Sequence, residues 1–245
     1  MDIPAFLAEV SALPGLSGNE QAVAQYLRER FAPCCDEVYV DCLYNVIARK
    51  KGAGPKVMLA AHLDEIGLVV TRIEEDGSLR LGNVGGVDPR ILPGARVHVY
   101  GQEKLLGVVG AKPPHLLTPQ DRKKNYRRED LFVDVGLPAS RVRELVRIGD
   151  LMALDGPAVA LKNNRFACKT MDDRACVAMM LLAAEALGGM HHRADVYFVA
   201  SAQEQVGARG ARAAAFDLAP DLAVVLDVCH GPVPGSRPDT TCELT

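Results

Sequence analysis

Three uninterrupted apolar runs restrict the fold of this chain more than any other feature of its sequence. They occupy residues 57–61, 196–200 and 222–226. Strands that are buried on both faces, as in a parallel sheet, are apolar throughout, whereas half-exposed strands alternate between apolar and polar residues. Segments with helical periodicity separate or flank these runs. The sequence therefore predicts an α/β domain with a largely parallel sheet.

The middle of the chain has a different pattern. From residue 68 to about residue 155 it consists of short alternating segments separated by glycines, at residues 68–73, 78–81, 95–100, 105–109, 131–135 and 151–154. This pattern is typical of a small antiparallel barrel or sandwich. We expect residues 1–67 and 158–245 to form the α/β domain and residues 68–157 to form a β-rich insert.

Two helical patterns open the chain, and Ser17 is a plausible cap for the second of them. A third helical segment, residues 175–187, is apolar on most faces and follows the sequence Thr170-Met171-Asp172-Asp173-Arg174. An aspartate at the start of a helix commonly caps it. Either Asp172 or Asp173 could therefore cap this helix, and Asp172 could instead bind a cation.

Acidic and imidazole groups follow the ends of all three apolar runs. His62 and Asp64 follow the first run, Glu204 the second and Asp227 the third. Ligands of open α/β sheets bind beyond the carboxyl ends of the strands, so we expect these groups to converge with Asp172. Each could instead be a core, turn or surface residue. Imidazole and carboxylate together suit Zn²⁺, Co²⁺ or Mn²⁺, with Asp64 orienting His62 and Glu204 acting as general base.

The composition argues against several classes of function. The chain has 245 residues and a net charge of −3, with lysine and arginine scattered throughout, so we expect neither nucleic-acid binding nor membrane attraction. No segment approaches the roughly 18 apolar residues of a membrane span, and no secretory leader is evident. Its seven cysteines form no CxxC pair, and we expect them to be reduced in a cytoplasmic protein.

Six motifs in matching order resemble the M42 metallo-aminopeptidases, a family of glutamyl aminopeptidases, TET peptidases and some proteins named endoglucanases. The motifs are residues 61–67, 112–116, 130–136, 169–174, 203–210 and 226–228. The resemblance implies a zinc-peptidase-like α/β/α domain with a mixed sheet, interrupted by a barrel-like insert that makes dimer contacts. It also implies homo-oligomers, as dimers or dodecamers, that remove N-terminal residues from peptides with two metal ions, Zn or Co.

The resemblance also implies roles for particular residues. His62 and Asp227 hold one metal, Asp172 bridges two, Glu204 is the general base and Asp64 supports His62. Gln205 occupies a position that is glutamate in the family and is a weaker ligand. The family's last ligand, a late histidine, has no counterpart before residue 245, so we expect a truncated or frameshifted member that binds one ion or none.

Two other functions stay open at the level of the sequence. One is a degenerate paralogue that holds a single ion at His62, Asp172 and Asp227 and serves as a non-catalytic subunit or binding module. The other is a glycosidase or deacetylase on the same scaffold. A glycosidase needs two carboxylates across a cleft that is often lined with aromatic residues, and this chain contains no tryptophan.

Overall fold

The computed structural model describes residues 1–120, 123–235, 237 and 242. The α-helices are α1 (Ile3–Ala12), α2 (Gln21–Phe31), α3 (Ala139–Leu145), α4 (Met171–Leu187) and α5 (Arg209–Leu218). The strands are β1 (Glu37–Val40), β2 (Val46–Lys50), β3 (Lys56–His62), β4 (Gly67–Ile73), β5 (Leu79–Val84), β6 (Arg96–Tyr100), β7 (Lys104–Ala111), β8 (Leu131–Asp134), β9 (Leu151–Leu154), β10 (Val159–Ala160), β11 (Phe166–Ala167), β12 (Asp195–Ser201) and β13 (Leu222–Val225).

Five strands form a mixed sheet in the order β1-β2-β12-β3-β13. The apolar runs form β3, β12 and β13, and both β12 and β13 lie parallel to β3. The β2 strand pairs with β12 and with β1 in antiparallel orientation. The predicted α/β domain with a mixed sheet is therefore confirmed: β12, β3 and β13 are parallel, and the two antiparallel strands lie at one end.

The β12 strand shows why this sheet has helices on both faces. All seven of its residues are buried. Val196, Phe198 and Ala200 pack in a cluster with residues of α1, α2 and α4. Tyr197 and Val199 point to the opposite face and pack against α5. Because successive side chains of a strand alternate between faces, a continuous apolar run requires cover on both sides, which gives three layers.

The other large unit is a closed antiparallel barrel with the strand order β4-β5-β8-β7-β6-β9. Each of the six short segments predicted from the alternating pattern corresponds to one of these strands. The interior is filled by aliphatic side chains, such as Leu79, Val99 and Leu131, which are fully buried. Closure leaves no strand of the barrel without a neighbour on each side. The barrel strands lie between residues 67 and 154.

The helices correct one detail of the sequence prediction. The α2 helix begins at Gln21, and its N-cap residue Glu20 makes no side-chain capping bond. Ser17 therefore does not cap this helix; its hydroxyl donates a hydrogen bond to Asp64 Oδ2 at 2.5 Å. Within the described part of the chain, no helix combines the length and apolar character needed to span a bilayer.

The β13 strand lies at an edge of the mixed sheet and pairs with β3. Among the described residues no strand pairs with its other side. The side chains of Leu222, Val224 and Val225 are exposed, the last by 74%. This edge is apolar and open, in contrast to the fully buried β12.

Candidate metal centre

The carboxyl ends of the parallel strands bring the predicted site residues together. His62 is the last residue of β3 and is paired with Ser201, the last residue of β12. On the other side of β3, Leu226 continues β13 by donating its N–H to Ala60 O at 2.8 Å, so that Asp227 follows directly at the same edge. Parallel register therefore places the residues after β3, β12 and β13 side by side, as residues beyond the strands of an open sheet generally are.

One group of side chains at this edge has the spacing of a metal site. Donor atoms of His62, Asp173 and Asp227 all lie within 4.8 Å of one another. His62 and Asp173 are buried, whereas Asp227 is exposed. The prediction placed Asp172, not its neighbour Asp173, in this ligand set. The structure thus adds a carboxylate that was considered in the sequence only as a possible cap.

Asp172 lies beside the same imidazole. Its Oδ1 is 2.8 Å from His62 Nε2, and its side chain is 56% exposed. The backbone of Asp172 and Asp173 is not helical, although both residues fall within α4. Among the described residues no helix N–H donates to either carboxylate, so a simple capping role does not account for this pair. Both carboxylates instead face His62.

Asp173 has the features of a buried cation ligand. Its Oδ2 accepts a hydrogen bond from the His62 backbone N–H at 3.1 Å. Its Oδ1 is buried and has no hydrogen-bond partner among the described residues. Burial raises the pKa of Asp173 to about 6, against the opposing effects of the nearby Cys176 thiol and of His62. A buried carboxylate oxygen without a partner is costly unless a proton or a cation compensates it, so the residues present fit a divalent cation.

The electrostatics of His62 agree with this assignment. Burial disfavours the charged imidazolium, but Asp64, Asp173 and Asp172 outweigh that cost and raise the pKa of His62 to about 9. Carboxylates that favour a proton on the imidazole also favour a metal cation in its place. Ligation requires the neutral ring, and His62 Nδ1 lies 3.1 Å from Asp64 O, which orients the ring.

Asp64 has more partners than sequence reasoning predicted. It is fully buried. In addition to the Ser17 hydroxyl, it accepts the backbone N–H of Glu204 at 3.0 Å and of Gln205 at 3.1 Å. Burial raises the pKa of Asp64, but these hydrogen bonds and His62 lower it below its ordinary value. One carboxylate therefore holds both the candidate metal ligand and the loop of the candidate base.

Glu204 lies at the open side of this cluster. Its Oε2 is 3.7 Å from His62 Nε2, and its side chain is 36% exposed. Burial raises the pKa of Glu204, and the carboxylates of Asp64, Asp227 and Asp172 raise it further, against the opposing effect of His62. A carboxylate with a raised pKa at the edge of a metal site is suited to receive and return a proton.

The loop before Glu204 is held by a residue that sequence reasoning missed. Glu20 is fully buried, and its Oε1 accepts hydrogen bonds from Gly18 N at 2.8 Å and from Gln203 N at 3.0 Å. Gln203 adopts a positive φ of 56°, a conformation that is uncommon outside glycine. Gln205 is half-buried and also donates its N–H to Asp64. A buried glutamate before a helix carries no distinctive sequence signal.

A buried charged network lies behind the cluster and was also missed. Arg174 is fully buried, and its guanidinium donates to Leu63 O at 2.9 Å and to Leu13 O at 3.1 Å. Its Nη2 lies 3.6 Å from Glu65 Oε1, and Glu65 also pairs with Lys169. This network joins the segment after β3 to the start of α4, so it positions both of the elements that carry His62 and Asp173.

Comparison with known proteins places this centre in a family. The family model described as M42 glutamyl aminopeptidase matches residues 44–241. The chain belongs to the M42 peptidase family. A lysyl aminopeptidase of Pyrococcus furiosus is 38% identical over 236 residues, which cover 94% of this chain and 68% of that protein.

Solved structures of aminopeptidases share the fold of this M42 chain. A TET aminopeptidase from a marine sediment archaeon of the Thaumarchaeota matches with a TM-score of 0.92 and 34% identity over 96% of this chain and 68% of that one. The TET1 peptidase of Pyrococcus horikoshii, which can assemble into a tetrahedron or a large octahedral shell, matches with a TM-score of 0.86 and 30% identity over 95% and 71%. The chain thus spans about two thirds of the length of these relatives.

Proposed function

We propose that this M42 chain is a divalent-metal-dependent aminopeptidase that removes N-terminal residues from peptides. The observation that supports this proposal is the compact group of His62, Asp173 and Asp227, with the Glu204 carboxylate 3.7 Å from the imidazole. The aminopeptidase names of its relatives agree with that chemistry.

His62, Asp173 and Asp227 would hold the cation, and the exposed Asp172 would contribute a further carboxylate beside His62. One imidazole with several carboxylates suits Zn²⁺ or Co²⁺. When bound, such a cation polarises the scissile carbonyl and makes water more acidic. Because its side chain is 56% exposed, Asp172 would be the residue able to contribute to the binding of a second ion as well.

Glu204 would act as the general base and then as the general acid. Its raised pKa favours capture of a proton from the attacking water, and the same proton is then available to the leaving amine. Asp64 would support this role indirectly, since it accepts the backbone N–H of Glu204 and contacts His62. A shift of Asp64 would therefore disturb the base and the metal ligand together.

A single-ion, non-catalytic subunit is the second candidate. The observation that favours it is the neutral Gln205 beside Glu204, because an amide is a weaker ligand than the carboxylate found at this position in the family. Within the described residues, the structure brings one group of three metal-capable side chains together. This candidate predicts one tightly bound ion per chain.

Metal analysis and hydrolysis assays separate the two candidates. Purified protein, with and without added Zn²⁺ or Co²⁺, would be assayed on a panel of aminoacyl p-nitroanilides, and bound metal would be counted by mass spectrometry. Metal-dependent hydrolysis supports the aminopeptidase. One bound ion without hydrolysis supports the single-ion subunit. If the protein neither binds metal nor hydrolyses any substrate of the panel, both candidates are refuted.

We also propose that the chain forms homo-oligomers. Support comes from the shells formed by the TET1 relative. Light scattering coupled to size exclusion would give the mass directly, and a monomer of 26.3 kDa at micromolar concentration would contradict this proposal.

A further inference from the structure

A groove on the outside of the barrel has no role in the proposed metal chemistry. It consists of two adjoining cavities of about 700 Å³ and 690 Å³, which share Arg80 and Glu129 in their walls. The first cavity is lined chiefly by the end of β7, the loop that follows it and the start of β8. The second follows β4 and β5, from Thr71 and Arg72 to Asn83.

The walls of this groove carry a concentrated positive charge. Six cations line it, Arg72, Arg80, Lys112, Lys124, Arg127 and Arg128, together with the carboxylates of Glu129 and Asp130. A third carboxylate, Glu74, pairs with Arg72 and Arg80 from outside the groove, so that the cations outnumber the carboxylates by two to one. The protein as a whole has a net charge of −3. A cleft lined by one sign of charge concentrates its field and attracts ligands of the opposite sign. The groove is therefore a local exception on an acidic protein.

Two of the cations are well placed to meet a ligand. Among the described residues no carboxylate lies within ion-pair distance of the Lys112 ammonium. The Arg80 guanidinium forms an ion pair with Glu74, at 2.6 Å from its Nε, and its Nη1 donates to Glu129 O at 3.0 Å and to Leu131 O at 3.3 Å, so that Nη2 is its donor without a partner among the described residues. Arginine groups that are oriented in this way are suited to bind carboxylates.

Aromatic side chains form the apolar part of the first cavity. Phe132 lies directly over Gly110, where an added Cβ would be only 2.4 Å from the ring. Tyr126 donates its hydroxyl to Lys112 O at 3.1 Å, which joins the loop to the end of β7. The groove therefore combines an apolar floor with cationic walls, as sites for amphipathic chains do.

The groove approaches the metal centre along β5. The second cavity ends at Asn83, and Gly85, two residues later, packs against the loop of the candidate base. A Cβ at Gly85 would lie 3.1 Å from Gln205 Cβ. At about 3.4 Å per residue, Arg80 lies roughly 17 Å along the strand from Gly85. An extended peptide covers that distance in about five residues.

We infer that this groove binds acidic side chains of peptide substrates, at positions about five or more residues after the N-terminal residue that is held at the metal centre. This inference rests on the proposed aminopeptidase function. It makes long peptides with acidic residues downstream of the cleavage site the preferred substrate class. Short substrates would not reach the groove and would be insensitive to it.

A pair of matched peptides tests the inference. Both would have eight residues, begin with leucine and continue with alanines; one ends in three glutamates and the other in three glutamines, each with an amidated C-terminus. We expect a kcat/KM that is about 3- to 10-fold higher for the glutamate peptide at low ionic strength, through KM, and a smaller ratio at high salt. The Lys112→Gln variant and, separately, the Arg72→Gln variant should have a smaller ratio of kcat/KM between the glutamate and the glutamine peptide. Their hydrolysis of leucine p-nitroanilide should stay unchanged.

Lys51→Gln is the matched control, because it removes one exposed lysine charge beside Glu37, on the α/β domain. A direct binding measurement keeps the test independent of catalysis: fluorescein-labelled, N-acetylated forms of both peptides would be titrated by anisotropy. Equal affinity for the two peptides, or an unchanged ratio in both groove variants, would overturn the inference. If the protein does not hydrolyse leucine p-nitroanilide but still binds the glutamate peptide more tightly than the glutamine peptide, only the proposed aminopeptidase function is refuted.

Discussion

The barrel and the mixed sheet of this protein differ in how their strands find neighbours. In the barrel, every strand has two partners, and its residues all lie between 67 and 154. In the mixed sheet, β3 pairs with β12 and β13, which lie more than a hundred residues later in the chain. Among the described residues, the sheet also has an apolar edge at β13 that no strand covers.

The candidate metal centre and the cationic groove differ in the same way as the units that carry them. The candidate metal centre is assembled by long-range contacts of the sheet, such as the hydrogen bond from His62 N to Asp173 Oδ2. The cationic groove is built from the barrel and its loops. The closed barrel can thus carry a binding surface without depending on the metal ligands, and changes to one unit should leave the function of the other largely intact.

The largest expected effect concerns the metal centre. Glu204→Gln should reduce kcat by about 100- to 10,000-fold, because the amide cannot accept the proton, and should leave the bound metal unchanged. Steady-state hydrolysis and metal counting would measure both. Glu103→Gln makes the same change in the turn between β6 and β7 and should leave both values unaltered. Loss of metal in Glu204→Gln would instead identify Glu204 as a ligand.

The next effect compares buried and exposed charge. Glu65→Gln should lower the free energy of unfolding by about 3–5 kcal/mol, because it leaves the buried Arg174 with less compensation. Urea denaturation followed by circular dichroism would measure this change. The Arg174 guanidinium also has little room to move in response, because it packs directly against Gly15: a Cβ at that position would lie 2.4 Å from Arg174 Nη2.

Glu74→Gln is the matched substitution in the barrel, where Glu74 pairs with Arg72 and Arg80 at the surface. It should leave the denaturation midpoint nearly unchanged, because solvent screens such pairs. Equal losses in the two variants would show that the two units do not differ in how much their ion pairs contribute.

The smallest expected effect is at the edge strand β13, and it is measured by comparing the substitution of valine by alanine at three positions. Val199→Ala in β12 and Val133→Ala in β8 remove fully buried methyl groups, and each should cost about 2 kcal/mol of unfolding free energy. Val225→Ala on β13 should cost less than about 0.5 kcal/mol. A loss at Val225 as large as at Val199 would mean that this edge is covered in solution.

Much of the fold could be predicted from sequence because its signals are local. The continuous run of β12 and the alternating segments of the barrel each show their burial within a few residues. His62, Glu204 and Asp227 each come after an apolar run, and parallel strands alone are enough to bring such residues to the same edge of the sheet. The α/β architecture and its barrel insert were predicted correctly on this basis.

The composition of the site was less predictable, since it depends on contacts between distant segments. The candidate group of three donors contains Asp173, which the sequence prediction had not included, whereas the predicted Asp172 lies beside His62 at 2.8 Å. Ser17 and Glu20 serve the loops around Asp64 and Gln203 rather than capping α2 through their side chains.

The sequence by itself determined the three parallel strands of the sheet, the six strands of the barrel and the residue types that follow the parallel strands, because hydrophobic periodicity is a property of neighbouring residues. Only the tertiary structure decided which carboxylates meet His62, and that Arg72, Arg80 and Lys112, scattered along the sequence, share one groove. Both outcomes depend on how strands pair across long stretches of chain, and that pairing has no signature in any single segment.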